Sequence, residues 1–256
     1  MRIEFSVIEQ RERTLTRDGH KMTISVIYEN TQYDKRCKPG WGFSSLISLG
    51  EKNILFDTGA EGKILLHNME KMKIDPQDID GIFLSHEHWD HTGGLDDLLK
   101  ANEKVGVYLL KSFSRDFINQ LEFSGRNIVQ ISSLTEIFQD IYSTGPIKER
   151  VEEHSLVARM EKGLLVMAGC SHPGIVKIAQ KAAEIFKQDI YILLGGFHLL
   201  EKKDPEIKSV INQLKDLGVQ KVGPCHCTGY AAIDFFRKEY RKDFIEIGAG
   251  RVIPFE

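Results

Sequence analysis

The sequence predicts an α/β (α+β) fold in which two β-sheets pack face to face with helices on their outer sides, a four-layer αββα sandwich. Three observations lead there. Strand-like apolar runs alternate with helix-period segments along the chain. The second half follows the logic of the first without repeating its sequence, and histidine-bearing turns follow apolar segments in both halves, so that loops meet at one edge. The 256 residues are 41% hydrophobic, enough for a sizeable core, and no Pro- or Ser-rich linker divides them. A single domain over 1–256 is therefore expected.

In chain order, the opening from Met1 to Glu9 alternates apolar and charged residues, giving a strand over 2–8, and further strands fall at 21–28, 43–49 and 53–57. A helical pattern over 62–72 precedes a strand over 79–85. A short helix at 94–101, a strand at 105–110, a helix at 112–122, a strand at 127–132 and a hairpin-rich stretch over 137–168 follow. Gly174 to Lys187 is helical with Ile175, Ile178, Ala182 and Ile185 on one face, and Asp189 to Leu194 is a buried strand. Asp204 as N-cap with Pro205 at N1 opens a helix that turns Ile207, Val210, Ile211 and Leu214 inward and ends at Gly218. Lys221 to Gly223 is a short strand, Thr228 caps a helix running through Lys242, and strands close the chain over 244–254.

The chemistry is concentrated in His86-Glu87-His88-Trp89-Asp90-His91, directly after an apolar strand. His86 and His88 stand two apart on a chain leaving a strand, so their rings can converge on one ion, while Asp90 and His91 lie past the turn and can reach a second. Imidazole and carboxylate suit Zn²⁺, in one or two ions, and Fe or Mn also accept a nitrogen/oxygen set. Such a loop must complete its shell from elsewhere. His172, His198 and His226 each follow an apolar segment in a glycine- or cysteine-bearing turn. Of these, His172 and His226 are the expected ligands.

Other residues carry two readings. Cys170, Cys225 and Cys227 are either ligands or, as we favour, small packing residues, and with Cys37 they are expected to be reduced thiols. Asp34 to Gly42 is a basic, glycine-bearing loop whose Lys35 and Arg36 can hold a substrate phosphate or simply face solvent. Glu87 is expected to face solvent or a backbone amide, and Trp89 to fill space below the metal loop.

Taken together these phrases resemble the motifs of the metallo-β-lactamase superfamily: Phe56-Asp57-Thr58-Gly59 its first, His86 through His91 its signature, Gly169-Cys170-Ser171-His172-Pro173-Gly174 its third and Pro224-Cys225-His226 its last. The resemblance implies the metallo-β-lactamase fold and a dinuclear site, with His86, His88 and His172 around one ion and Asp90, His91 and His226 around the other. Asp57 then stands behind the ligands and orients one of them or a loop. Where relatives place a metal-bridging aspartate, this chain reads Leu194-Gly195-Gly196-Phe197-His198. His198 is thus a ligand or substrate contact, or a structural histidine below the site. Gly195-Gly196-Phe197-His198-Leu199 and Pro224-Cys225-His226-Cys227-Thr228-Gly229 add a narrower similarity, to the branch of dihydropterin ribofuranosylaminobenzene-phosphate synthases. That branch implies condensation with displacement of pyrophosphate from a hydroxymethyl-dihydropterin.

The functional expectation is a metal-dependent hydrolase or transferase acting on a small phosphorylated or heterocyclic substrate. A cation that lowers the pKa of water to near 7 supplies hydroxide, or activates a pyrophosphate leaving group as a Lewis acid, with Asp90 and His198 as the catalytic side chains. Oxygen-reducing di-iron relatives place a carboxylate where His88 stands, so metal-hydroxide chemistry is favoured over redox chemistry. The alternatives are a lactone, thioester or phosphodiester hydrolase and, in another class, a metal-stabilised pterin- or nucleotide-binding protein without turnover. A formal charge of −3 with scattered basic residues gives no field for nucleic acid. No apolar run has membrane-spanning length and the start lacks a signal-peptide core, so a cytoplasmic location is expected. A homodimer is compatible with these features.

Overall fold

The computed structural model describes residues 22–255, and its strands gather into two sheets. The first runs β13 (Val252–Phe255), β1 (Met22–Tyr28), β2 (Ser44–Leu49), β3 (Lys52–Phe56), β4 (Gly81–Phe83), β5 (Gly106–Leu110), β6 (Ile128–Ile131). The second runs β12 (Lys221–Cys225), β11 (Ile190–Gly196), β10 (Gly163–Ala168), β9 (Leu156–Met160), β8 (Ile141–Ser143), β7 (Thr135–Phe138). β3 to β6 are mutually parallel, as are β10 to β12, and the other pairings are antiparallel. The strand expected over 2–8 lies outside the described residues.

Period-two pleating divides each central strand between two cores. Ile54, Phe56 and Phe83 of the first sheet meet Leu165, Met167, Ile192 and Leu194 of the second in a core between the sheets. Leu55, Ile82 and Val107 point the other way, onto α1 (Gly62–Met72), α3 (Leu95–Ala101) and α4 (Arg115–Phe123). On the far side Leu164, Val166 and Ala168 pack on α5 (Ile175–Phe186), α6 (Asp204–Asp216) and α7 (Tyr230–Tyr240). This is the αββα sandwich, and complete burial on both faces explains why these strands read as unbroken apolar runs. A four-residue helix, α2 (Trp89–Thr92), stands where the sequence suggested only a turn.

Several details differ from the sequence expectation. The N-cap of α6 is Lys203, one residue early, because Glu206 reaches back to accept from the Lys203 N–H at 3.1 Å; Asp204 enters the first turn, and Gly218 at φ 76° ends the helix as expected. Thr228 does not cap α7. Its hydroxyl donates to the Cys225 carbonyl at 2.6 Å and accepts from the Phe197 N–H at 2.9 Å, locking the turn that carries His226, so the helix opens after Gly229 and ends at Tyr240. Within 244–254 the only strand is the start of β13. Ile185 is half-buried, and Ala179 takes its place on the buried face of α5.

The functional loops all leave the C-terminal ends of parallel strands: Asp57 after β3, His86 to His91 after β4, His172 after β10, His198 after β11 and His226 after β12. Beneath them lies His154, fully buried and stacked on Phe83 at a centroid distance of 4.1 Å. Its Nε2–H donates to the Leu84 carbonyl at 2.7 Å and its Nδ1 pairs with Ser143 Oγ at 2.8 Å, which fixes the chain just before the metal loop. Burial drives its pKa down to about 3, so it is neutral in the fold. An unfolded imidazole, at about 6.5, binds a proton that the folded one does not, so stability falls as pH drops from about 6.5 towards 3, by up to about 1.4 kcal/mol per unit. In chelator-treated protein, thermal melts across that range should show a shallower loss for His154→Gln than for the wild type; equal slopes would exclude His154 as the acid-sensitive group.

Candidate metal centre

Asp57 organises the first loop. It sits in a left-handed conformation (φ 53°) with no exposure, and its carboxylate accepts from Ser85 N at 2.7 Å and from Ser85 Oγ at 2.8 Å. Because the Ser85 proton goes to Asp57, Ser85 Oγ accepts from His86 Nδ1–H at 2.9 Å. The second Asp57 oxygen also takes His91 Nδ1–H at 2.7 Å. Both imidazoles are thereby oriented with Nδ1 held by the loop and Nε2 turned into the site. His226 follows the same plan: its Nδ1 lies 3.1 Å from Asn30 Oδ1, and its buried Nε2 has no hydrogen-bond partner among the described residues.

Two donor groups form around the histidine motif, and a third, Cys170, His198 and Cys227, shares Cys170 with one of them. His86, His88 and His172 form one, with His86 Nε2 and His172 Nε2 at 3.1 and 3.2 Å from His88 Nδ1. Tetrahedral zinc with Zn–N near 2.0–2.1 Å sets ligand nitrogens about 3.3 Å apart, so these rings have the spacing one ion requires. Burial, reinforced by the neighbouring imidazoles, pushes His86 well down and His172 down to about 4, so both offer lone pairs at neutral pH. The other group contains Asp90, His91, Cys170 and His226, all buried, with His226 Nε2 and Asp90 Oδ2 3.3 Å apart. Burial opposes the Asp90 charge, but the neighbouring His226 and His91 imidazoles outweigh it and bring its carboxyl to about 2. An orphaned buried nitrogen aimed at an ionised carboxylate fits a cation between them.

The second-sheet loops hang on buried carboxylates that the sequence reading missed. Glu153 accepts from the N–H groups of Gly169, Cys170 and Ser171 at 2.9–3.1 Å through Oε1 and from His172 N at 2.9 Å through Oε2. Burial nonetheless pushes it up to about 7. Glu29 accepts from His226 N at 2.9 Å. Gly169 is required beside Glu153, because a Cβ there would run into Ser85 Oγ of the opposite sheet's loop. Glu29, Asp57, Asp90 and Glu153 are the buried acids among the described residues, and no Lys or Arg there is buried with them. A concentration of buried carboxyl groups without an organic counter-ion again fits divalent cations.

The remaining candidates fall out as follows. His198 is exposed, with its ring 4.5 Å from that of His172, and its contact with Cys227 raises its pKa; it is not a buried histidine below the site. Lys35 and Arg36 are exposed, and the Arg36 guanidinium is engaged by Asp34 at 2.6 Å. It is Trp41 of that loop that reaches the centre, donating from Nε1 to Asp90 Oδ2 at 3.0 Å with its ring 5.2 Å from His226. Trp89 does not fill space below the loop: it is 63% exposed, because α2 turns it outward while Asp90 and His91 turn in. Glu87 accepts from the N–H and hydroxyl of Ser114, tying the loop to the N-cap of α4. No side chain fits at Gly196, where a Cβ would meet Gly169 O and Cys227 Sγ.

The sequence profile of the Metallo-beta-lactamase superfamily matches residues 38–175. The chain belongs to this superfamily. A 7,8-dihydropterin-6-methyl-4-(beta-D-ribofuranosyl)-aminobenzene-5'-phosphate synthase of Methanocaldococcus jannaschii is 32% identical over 270 residues, covering 85% of this chain and 92% of that protein. Among solved structures, Tm1679, a metal-dependent hydrolase of the beta-lactamase superfamily, aligns with a TM-score of 0.76 at 29% identity, over 91% of this chain and 98% of that one. The fold is shared with Zn(2+)-bound PqqB from Methylobacterium extorquens, at TM-score 0.59 and 15% identity over 91% and 99% of the two chains. Superfamily membership and the donor groups together make divalent-metal binding the property of this site.

Asp57→Asn keeps the shape but sets an amide against one of three donors, so metal affinity should fall about 10–100-fold with the fold retained. Chelator competition beside far-UV circular dichroism measures this; unchanged affinity would mean that Asp57 does not orient the ligands.

Proposed function

We propose that this chain is a zinc enzyme holding two ions that condenses a dihydropterin carrying a pyrophosphate leaving group with an aminobenzene ribosyl phosphate. The similarity to the Methanocaldococcus jannaschii synthase, over most of both chains, carries the reading. In this reaction the bond between the pterin methylene carbon and the pyrophosphate oxygen breaks, a new bond joins that carbon to the amine nitrogen of the aminobenzene partner, the displaced N–H proton passes to solvent and pyrophosphate leaves. A divalent cation held at this centre would supply Lewis-acid polarisation and neutralise the pyrophosphate charge.

The protein's own groups have distinct tasks. Trp41, 46% exposed above Asp90 and His226, gives a flat apolar face on which a pterin ring can stack. His198, exposed beside His172, contacts the substrate and holds a proton near the departing group. Asp90, ionised at neutral pH, completes the inner cluster and holds the Trp41 indole over it. Lys35, on the Trp41 loop, is the cation available to a phosphate, since Asp34 engages Arg36. A second reading, hydrolysis of a small ester, lactone or phosphodiester, draws on the similarity to Tm1679 and needs the same residues.

Zinc-loaded protein should release pyrophosphate only when both condensation substrates are present, whereas a hydrolase would turn over a single phosphodiester, lactone or thioester. Asp90→Ala should lower kcat by about 10²-fold or more. Trp41→Ala should raise KM for the pterin roughly 2–10-fold with little change in kcat. Ligand binding by fully loaded protein without turnover of any of these compounds would favour a binding protein and overturn the enzyme reading.

A further inference from the structure

The two donor groups are not equivalent. His88 is exposed and His172 half-buried, and their group has three protein ligands. The Asp90 group is buried throughout and contains a fourth candidate, Cys170, whose Sγ lies 3.2 Å from His91 Nε2; all four donor atoms fall within 4.8 Å of one another. His91 Nε2 and Asp90 Oδ2 are 4.0 Å apart, and the unpartnered His226 Nε2 is 3.3 Å from the same oxygen. One tetrahedral zinc, with Zn–N and Zn–O near 2.0–2.2 Å and Zn–S near 2.3 Å, sets its ligand atoms about 3.3–3.7 Å apart. The four donors therefore surround a volume of the size of one ion.

We propose that the Cys170 thiolate is the fourth protein ligand of the inner ion, with Asp90, His91 and His226, so that this ion is closed off by the protein and the outer ion alone offers an open position to substrate. The proposal rests on the dinuclear metal reading above and adds a division of labour to it. Closed four-ligand zinc sites are structural, whereas three protein ligands leave a coordination position for chemistry.

The surroundings of Cys170 fit the role. Glu153 fixes its backbone N–H at 3.1 Å, so the sulfur is carried on the same rigid loop as His172. Gly196 keeps side chains away from the Cys170 backbone, the space there being taken by Cys227 Sγ. Cys227 points its thiol at the Cys170 carbonyl, 3.5 Å away, and groups with Cys170 and His198 but not with Asp90, His91 and His226, so that Cys170 is the one sulfur in the Asp90 cluster among the described residues. On binding, the Cys170 S–H bond breaks, the sulfur–metal bond forms and the proton passes to solvent. A thiolate also biases the inner site towards zinc or cobalt over manganese, while the three-imidazole outer site tolerates a wider range.

The test is cobalt titration of the chelator-stripped full chain, read by absorption. Two equivalents should bind, one of them bringing a near-ultraviolet sulfur-to-cobalt charge-transfer band. Cys170→Ser should abolish that band and weaken the inner equivalent about tenfold or more, while Cys227→Ser keeps the band. Zinc X-ray absorption on the unmodified protein provides a variant-free check: one sulfur shared over two zinc ions, at about 2.3 Å. Two bound ions without a sulfur signal overturn the thiolate assignment and leave the metal reading intact. A band that survives Cys170→Ser and disappears in Cys227→Ser overturns the choice of cysteine. Failure to bind any cobalt or zinc removes the metal reading and this proposal with it.

Discussion

Four carboxylates buried at the meeting of two sheets, with no buried Lys or Arg beside them among the described residues, set the terms for the rest of this structure. An uncompensated buried charge costs several kcal/mol, and backbone N–H donors answer only part of that for Glu153 and Glu29. Asp57 is answered by Ser85 and His91, and Asp90 by His226 and Trp41. What remains is an excess of negative charge surrounded by imidazole lone pairs. Divalent cations resolve it, and the same loops bring the imidazole donors to the place where the charge lies.

Each carboxylate has a particular loop to hold. Asp57 bonds the backbone and side chains of the 85–91 segment, Glu153 the 169–172 segment and Glu29 the turn at His226. The backbone is strained at these same places: Asp57, Ser171, His198 and His226 are four of the eight non-glycine residues with positive φ among the described residues. Each such conformation costs about 1–2 kcal/mol and persists because hydrogen bonds over-determine it. The two sheets beneath act as a rigid base, and the loops at their parallel-strand ends carry the chemistry. Such a division permits one fold to host many reactions.

Much of this was legible in the sequence. Strand and helix periodicities gave the layers, because strands buried on both faces must read as apolar runs and helices covering a sheet must show one apolar face. His86, His88, Asp90 and His91 announced themselves by density within six residues. His172 and His226 needed the added argument that a metal loop must be completed from distant strand ends. Glu153 and Glu29 were invisible, since an isolated glutamate in a polar stretch looks solvated until the fold wraps backbone donors around it. Trp41 was hidden inside a loop whose charges, Lys35 and Arg36, drew attention instead. Thr228 illustrates a local rule overridden by tertiary structure: its hydroxyl had a better use bridging β11 to the His226 turn than capping α7.

The most direct test of a fold that depends on cations in its carboxylate-lined centre is to strip the full chain with chelator and add zinc back stepwise, counting bound metal while following the melting temperature. Two equivalents should bind, and saturation to about 100 times each Kd should add about 2.7 kcal/mol per site, a rise of roughly 5–10 °C each. Full thermal stability in the stripped protein, with no further rise on adding zinc, would contradict it.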